Sequence, residues 1–302
     1  MEFHHLPVLL SECMEGLQVS PGKEYLDCTL GGGGHSEEIL RLGGRVTGID
    51  RDADAIRAAT TRLSSPNFRA LHGNFHNAAE LVAGQKFDGI LADLGVSSYQ
   101  LDNPARGFSY HEDAPLDMRM DASQPLSAKT IVNTFSEDEL TRIFREYGEE
   151  KWARQIARVL LDRRPLETTL QLVSAIDAAI PKKFRARDGS HPARRVFQAL
   201  RIAVNDELAP LQAAIRMLCD LLSPGGRLCI IAFHSLEDRI VKNTFRELAD
   251  PCTCPKDLPV CVCGKKPSLK IITRKPVTAS EEELARNPRA RSATLRIGEK
   301  LP

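Results

Sequence analysis

Tyr25-Leu26-Asp27-Cys28-Thr29-Leu30-Gly31-Gly32-Gly33-Gly34-His35-Ser36 is the stretch around which the chain is organised. A short apolar run ends in four consecutive glycines, and a helix-compatible segment, Ser36-Glu37-Glu38-Ile39-Leu40, begins at once. Strand, glycine turn and helix open a βαβ nucleotide-binding unit. Glycine suits the turn because it accepts positive φ and lets a ligand come close where a Cβ would clash. Arg45-Val46-Thr47-Gly48-Ile49-Asp50 then reads as a second buried strand that ends on an acid. A carboxylate at that tip can accept both hydroxyl hydrogens of a ribose, each such bond being worth about 1.5–3 kcal/mol. The glycines leave the ligand open. Gly31-x-Gly33-x-x-Ser36 approaches a dinucleotide fingerprint, and Asp27-x-Thr29-x-Gly31-x-Gly33 approaches the acidic glycine motif of S-adenosylmethionine enzymes.

With 302 residues the chain is long enough for about two domains and a sizeable core. A net charge of +1 with 27% charged residues confines any nucleic-acid site to a local patch. Met1–Ser20 lacks the basic and apolar regions of a signal peptide, and no apolar run is long enough to span a bilayer. Eight cysteines in such a chain imply reduced thiols and a cytoplasmic location.

Going outward, Ser11–Leu17 reads as a short helix closed by Gly22, and Asp52–Leu63 as a helix with Ala53, Ile56, Ala59 and Leu63 on one face. Phe68–His72 and Phe87–Asp93 are the third and fourth strands. Phe75, just past the third, either stacks on a purine or caps the core. The fourth ends in Asp93-Leu94-Gly95-Val96-Ser97-Ser98-Tyr99-Gln100, whose acid, hydroxyls and amide suit a small polar reacting group. Strand–helix alternation then stops, and residues 104–195 read as a helical insert. Ser136 with Glu139 and Thr168 with Gln171 form capping boxes within it. Tyr147 and Lys151 happen to match the Y-x-x-x-K of some dehydrogenases, but they lie far from any strand edge.

Residues 182–195 hold six basic side chains (Lys182, Lys183, Arg185, Arg187, Arg194 and Arg195) against one acid, a basic loop leading into a helix that either contacts phosphates or stays solvated. Their apolar neighbours Phe197, Leu200, Val204, Leu208, Leu211, Ile215, Leu218 and Leu222 step by three or four, predicting one long helix kinked at Pro210. Ser223-Pro224-Gly225-Gly226 turns into a fifth strand, Arg227–Phe233. The segments 269–273 and 293–297 complete the sheet as an antiparallel pair. Helix, Pro-Gly-Gly turn and apolar strand favour S-adenosyl-L-methionine as the ligand.

The chain now resembles the RsmH (MraW) ribosomal RNA small-subunit methyltransferases almost end to end. The matching motifs are Gly31–Ser36, Asp93–Ser98, Arg106–Ser109, Pro115–Asp121, Arg201–Leu208, Phe233–Arg239 and Asn287–Ser292. The resemblance implies an α/β fold: a Rossmann-like class I methyltransferase doubly wound sheet, residues 1–103 and 196–302, with an inserted helical domain, 104–195. It implies methyl transfer to the N4 amine of a cytidine in the decoding region of small-subunit rRNA, within an assembling 30S particle. It implies S-adenosyl-L-methionine contacts at Gly33, Gly34, His35, Asp50, Phe75, Asp93 and Gln100. Asp93 or the following carbonyls would accept an N4 hydrogen; alternatively Asp93 holds the methionine amino group. His234, Glu237 and Arg239 would line the base pocket, with helix capping as the alternative role of Ser235 and Glu237.

One feature departs from the family pattern. Cys252-x-Cys254 and Cys261-x-Cys263 are four thiols that either bind zinc or stay reduced in a loop, and the residues assign no metal.

Overall fold

The computed structural model describes residues 6–184, 191–255 and 262–302. The chain divides into two compact units, residues 1–95 with 208–302, and residues 96–207.

In the first unit, α1 (Leu10–Leu17) precedes β1 (Glu24–Asp27), α2 (Gly34–Arg41), β2 (Arg45–Asp50), α3 (Ala53–Arg62), β3 (Phe68–His72), α4 (Ala78–Leu81) and β4 (Phe87–Asp93). The second unit carries α5 (Ser98–Asp102), α6 (Ala128–Thr134), α7 (Glu137–Glu146), α8 (Ala153–Asp162), α9 (Thr169–Ala179) and α10 (Ala193–Asn205). The chain returns to the first unit with α11 (Leu211–Leu221), β5 (Leu222–Ala232), α12 (Ser235–Ala249), β6 (Leu269–Ile271), α13 (Glu281–Arg286) and β7 (Thr294–Lys300).

The sheet order is β3-β2-β1-β4-β5-β7-β6; β1 to β5 run parallel, and β7 is antiparallel to both β5 and β6. The order reverses direction between β1 and β4, the switch point where open α/β sheets bind ligands beyond their carboxyl ends. Both faces of the sheet are covered. Leu26, Ile90, Ile230, Leu218 and Phe245 pack on one side, and Tyr25, Leu91, Ile231, Leu17 and Leu295 on the other. This explains why the central strands read as unbroken apolar runs. Burying each such side chain contributes about 1.5–3 kcal/mol.

Three expectations need correction. The helix α1 is closed by Gln18 in the left-handed region (φ 53°), and Gly22 belongs to the following turn, where its N–H donates to the Gly43 carbonyl at 2.8 Å. The predicted long helix is two. Asp206 turns left-handed (φ 48°) after α10, and α11 restarts behind Pro210, which lacks the N–H a continuing helix needs. Its single apolar stripe therefore serves two cores: Phe197, Leu200 and Val204 pack among helices, while Leu211, Ile215 and Leu218 pack on the sheet. The compact units divide at that break, and α10 belongs to the helical one. Finally, Ser223–Gly226 is not a turn before β5 but an excursion within its ladder. Phe87 pairs with Leu222 and Gly89 with Arg227, with Gly225 at φ 80°.

Several motifs in the helical unit prove to be scaffold. Asn205 accepts from the Met120 N–H and donates to the Met118 carbonyl, both at 2.8 Å. Arg106 donates to the carbonyls of Arg119 and Met120 at 2.9 Å, and Arg119 grips Asp117 with two bonds of 2.8–2.9 Å. A Cβ on Gly107 (φ 71°) would meet the Pro115 carbonyl oxygen at 2.3 Å, so only glycine fits. Arg201 forms a two-bond pair with Glu207. Tyr147 packs against the helical core, and the described residues of this unit contain no strand that would make it a dehydrogenase site.

Candidate active site

At the carboxyl edge of the sheet the strand ends are tied to one another. Asp27, buried at the end of β1, accepts from the Thr29 N–H at 3.2 Å and from the Ser36 hydroxyl at 2.7 Å, which bends the glycine loop back onto its strand. Thr29 Oγ1 in turn accepts from the Asp93 N–H at 2.6 Å, linking β1 to β4. Asp50 accepts from the Gly31 and Asp52 N–H groups, each at 2.8 Å, and its own carbonyl accepts from the Gly73 N–H, so β2 holds both neighbouring loops. The β5 edge closes the row: Glu237 Oε2 accepts from the Phe233 N–H at 2.9 Å and forms a capping box with His234 at the start of α12. Asp27, Thr29 and Ser36 belong to the glycine-loop motifs but stand outside the cofactor contacts that the family resemblance implies. The signal that marks them is the acid placed just before a glycine turn.

Gly33, Gly34, His35, Asp50, Phe75 and Asp93 all lie on this edge or its loops. Gln100 belongs to the helical unit, where its buried side chain accepts from the Ser97 N–H at 3.1 Å.

The glycines differ in their reasons. Gly33 needs its φ of 78°, and a Cβ there would meet Leu63 Cδ1 at 2.8 Å; at Gly34 it would meet Pro7 Cγ at 2.5 Å. Those two are required by packing. At Gly32 a Cβ would meet nothing within 4 Å, so there the backbone stays open to an approaching group. His35 also turns inward. Its Nε2 lies 3.0 Å from the Val8 carbonyl, and burial pushes its pKa down to about 4, so the ring is neutral with the proton on Nε2. What it offers a ligand is its backbone N–H in the first turn of α2. The Leu6–Leu9 segment that it grips is also held by Asn287, which donates to the Leu6 carbonyl, and by Glu283, which accepts from the Leu9 N–H. The asparagine that opens the last sequence motif thus braces the glycine loop from behind.

The electrostatics of the edge are acidic. Burial raises the pKa of Asp27. Burial also raises that of Asp50 to about 6, reinforced by the charges of Asp52 and Asp27 and opposed by its two N–H bonds. Asp93 is pushed well above the ordinary carboxylate range by burial first, then by the charges of Asp27 and Glu237. Its Oδ1 is shielded from solvent and has no hydrogen-bond partner among the described residues. A buried acceptor without a donor costs about 1–3 kcal/mol, so a ligand that brings a donor or a positive charge is favoured here.

A profile of the MraW methylase family matches residues 2–301. The chain belongs to that family. A ribosomal RNA small subunit methyltransferase H from Symbiobacterium thermophilum is 55% identical, covering 100% of this chain and 98% of the relative. One of the same name from Clostridioides difficile is 53% identical with full coverage of both. Among solved structures, a methyltransferase described as putative, from Streptococcus mutans and in complex with SAH, aligns with a TM-score of 0.44 at 12% identity over 98% of this chain and 100% of that one.

Within the MraW methylase edge, the donor set fits S-adenosyl-L-methionine. That molecule carries a sulfonium, an ammonium and a ribose diol. Asp50 retains two carboxylate lone pairs for the diol after its two backbone bonds. Phe75 lies half-buried beside the end of β3, with one side in the core and its ring 4.4 Å from that of His76. His234 Nε2 lies 3.1 Å from Glu237 Oε1 without the alignment of a hydrogen bond, so capping accounts for its Nδ1 but leaves Nε2 without an aligned acceptor among the described residues. Asp238 is committed elsewhere, in a two-bond pair with Arg296 of β7 at 2.6 and 2.9 Å.

The basic segment does not act as one group. Lys182 and Arg194 are exposed. Arg195 donates to Glu150 at 2.7 Å; that carboxylate has no solvent exposure and also accepts from the Trp152 N–H. Arg185, Arg187 and the side chain of Lys183 lie outside the described residues.

Proposed function

We propose that this chain transfers the methyl group of S-adenosyl-L-methionine to the exocyclic N4 amine of a cytidine in the decoding region of small-subunit ribosomal RNA, acting in the cytoplasm on an assembling 30S particle. The observation that carries the reading is Asp93: a buried carboxylate oxygen at the sheet's switch point, without a hydrogen-bond partner among the described residues, in a chain that matches a methylase family over residues 2–301. No helix among the described residues is long and apolar enough to cross a membrane.

When bound, the cofactor supplies a methyl group already made electrophilic by a sulfonium. The chain's residues then have two tasks, alignment and acceptance of a hydrogen. Asp50 and the first-turn N–H groups of α2 hold the nucleoside and set the line of attack. Cytosine N4 is a poor nucleophile because its lone pair is delocalised into the ring. Asp93 Oδ1, accepting an N4 hydrogen, draws electron density onto nitrogen as the N–C bond forms, and takes up the proton that nitrogen must lose. Its raised pKa suits that acceptance. Lys182, Lys183, Arg185, Arg187 and Arg194 neutralise RNA phosphates, offsetting the few kcal/mol needed to unstack the base.

Asp50 makes cofactor binding depend on pH. Above its pKa of about 6 the carboxylate is ionised and accepts both hydroxyls; below, it holds a proton and loses acceptor positions. Affinity is expected to be flat above pH 7 and to fall by about tenfold per pH unit below 6. Calorimetric titration across that range measures it, and Asp50→Asn should remove the dependence along with most of the affinity.

The function itself is tested by incubating the chain with methyl-labelled cofactor and small-subunit particles, then hydrolysing the RNA. Label in N4-methylcytidine is expected. Label in another nucleoside, or none, would defeat the proposal.

A further inference from the structure

Cys13, Cys28, Cys219 and Cys229 are buried, as cysteines usually are. Cys252, Cys254 and Cys263 are not: the first is exposed and the others half-buried. They sit in the excursion that leaves the end of α12 and returns to β6, closed at its base by the Ser268 N–H donating to the Leu248 carbonyl at 2.9 Å. None of its described residues, 251–255 and 262–267, is buried, so no apolar core draws the three cysteines together. Yet their Sγ atoms all lie within 4.8 Å of one another, and Sγ of Cys252 and Cys263 are 3.9 Å apart.

That separation has a chemical meaning. A disulfide would place the sulfurs about 2.05 Å apart. Thiolates at about 2.3 Å from a tetrahedral zinc stand about 3.8 Å from one another, the length of a tetrahedron's edge. Gly264, at φ 66°, turns the chain immediately after Cys263, and Lys265 and Lys266 follow. Cys261 lies outside the described residues.

We propose that Cys252, Cys254 and Cys263 are ligands of a structural zinc ion that ties this excursion together, away from the methyl-transfer site. Zinc suits the set because thiolate ligands and tetrahedral spacing select it over hard divalent cations, and because it undergoes no redox change. It binds as the thiols release their protons, and it replaces the missing apolar core as the cross-link of the excursion.

The full chain, purified without metal-affinity steps or chelators, is expected to contain about one zinc per molecule by mass spectrometry. Cys254→Ser and Cys263→Ser should each reduce that to background while cofactor affinity is unchanged. Titrating the unsubstituted protein with an organomercurial should release zinc in step with thiol modification, a measurement that needs no variant to fold. The assignment is overturned by absence of zinc, by a different metal at these thiols, by zinc content unaffected by both substitutions, or by a Cys252–Cys263 disulfide in protein isolated without oxidant.

Discussion

Asp93→Asn is expected to lower methyl turnover by about 10²–10³-fold, the range found when a single preorganised polar group is removed from a reacting centre. The amide keeps the shape of the side chain but presents N–H groups and a weaker acceptor where the carboxylate would take the N4 hydrogen. Two further readouts separate this role from its rivals. Cofactor affinity should change by less than about tenfold, because Asp50 and the α2 terminus hold the nucleoside. Equal losses in turnover and affinity would make Asp93 a ligand of the methionine amino group and nothing more. Stability should be unchanged or raised. In the protein alone, burial and the charges of Asp27 and Glu237 disfavour the ionised form of Asp93, and Oδ1 has no hydrogen-bond partner among the described residues, so an uncharged amide relieves a cost. A clear drop in melting temperature would mean that the carboxylate holds the fold and that its orphaned oxygen has been misread.

The second large effect is that of salt on RNA binding. Five basic side chains, Lys182, Lys183, Arg185, Arg187 and Arg194, remain for phosphate contact once Arg195 is set aside with Glu150. Five neutralised phosphates on single-stranded RNA give a log–log slope of about −3.5, so affinity should fall about 100-fold between 50 and 200 mM salt. Arg194→Ala should make that slope shallower by about 0.7 with stability intact. Arg195→Ala should leave the slope alone and lower stability by about 1–3 kcal/mol, since it strands a buried carboxylate. Binding measured by fluorescence anisotropy over a salt series, with denaturation of the same variants, checks both halves. A flat salt response would remove the segment from the RNA interface.

The strands β2, β3 and β4 could be located from sequence residue for residue, because they are short runs bounded by glycine or an acid, whereas β5 begins five residues before the expected Arg227 and β7 runs three residues past the expected end. The split between α10 and α11 could not. A stripe stepping by three and four looks continuous whether its two halves face one core or two, and it masks the turn at Asn205-Asp206, where Asp206 adopts the left-handed region that Asn and Asp tolerate. Gly33 and Gly34 were expected where they stand, but not for their main reason: the atoms that exclude a Cβ are Leu63 and Pro7, brought there by tertiary packing. His35 misleads in the same way, since a histidine after a glycine turn suggests a ligand while its ring serves the Val8 carbonyl. Charge counting grouped Arg195 with its neighbours, and only its distance to Glu150 separates it. The paired C-x-C spacing announced a cluster, but the convergence of three sulfurs needed coordinates.

One crevice, above the glycine loop and between Asp50 and Asp93, is expected to hold the methyl donor. A crystal structure of the chain with S-adenosylhomocysteine tests it most directly. The ribose hydroxyls are predicted on Asp50 and the sulfur within reach of Asp93 Oδ1. Nucleoside found elsewhere on the molecule, with those two carboxylates untouched, would contradict the account.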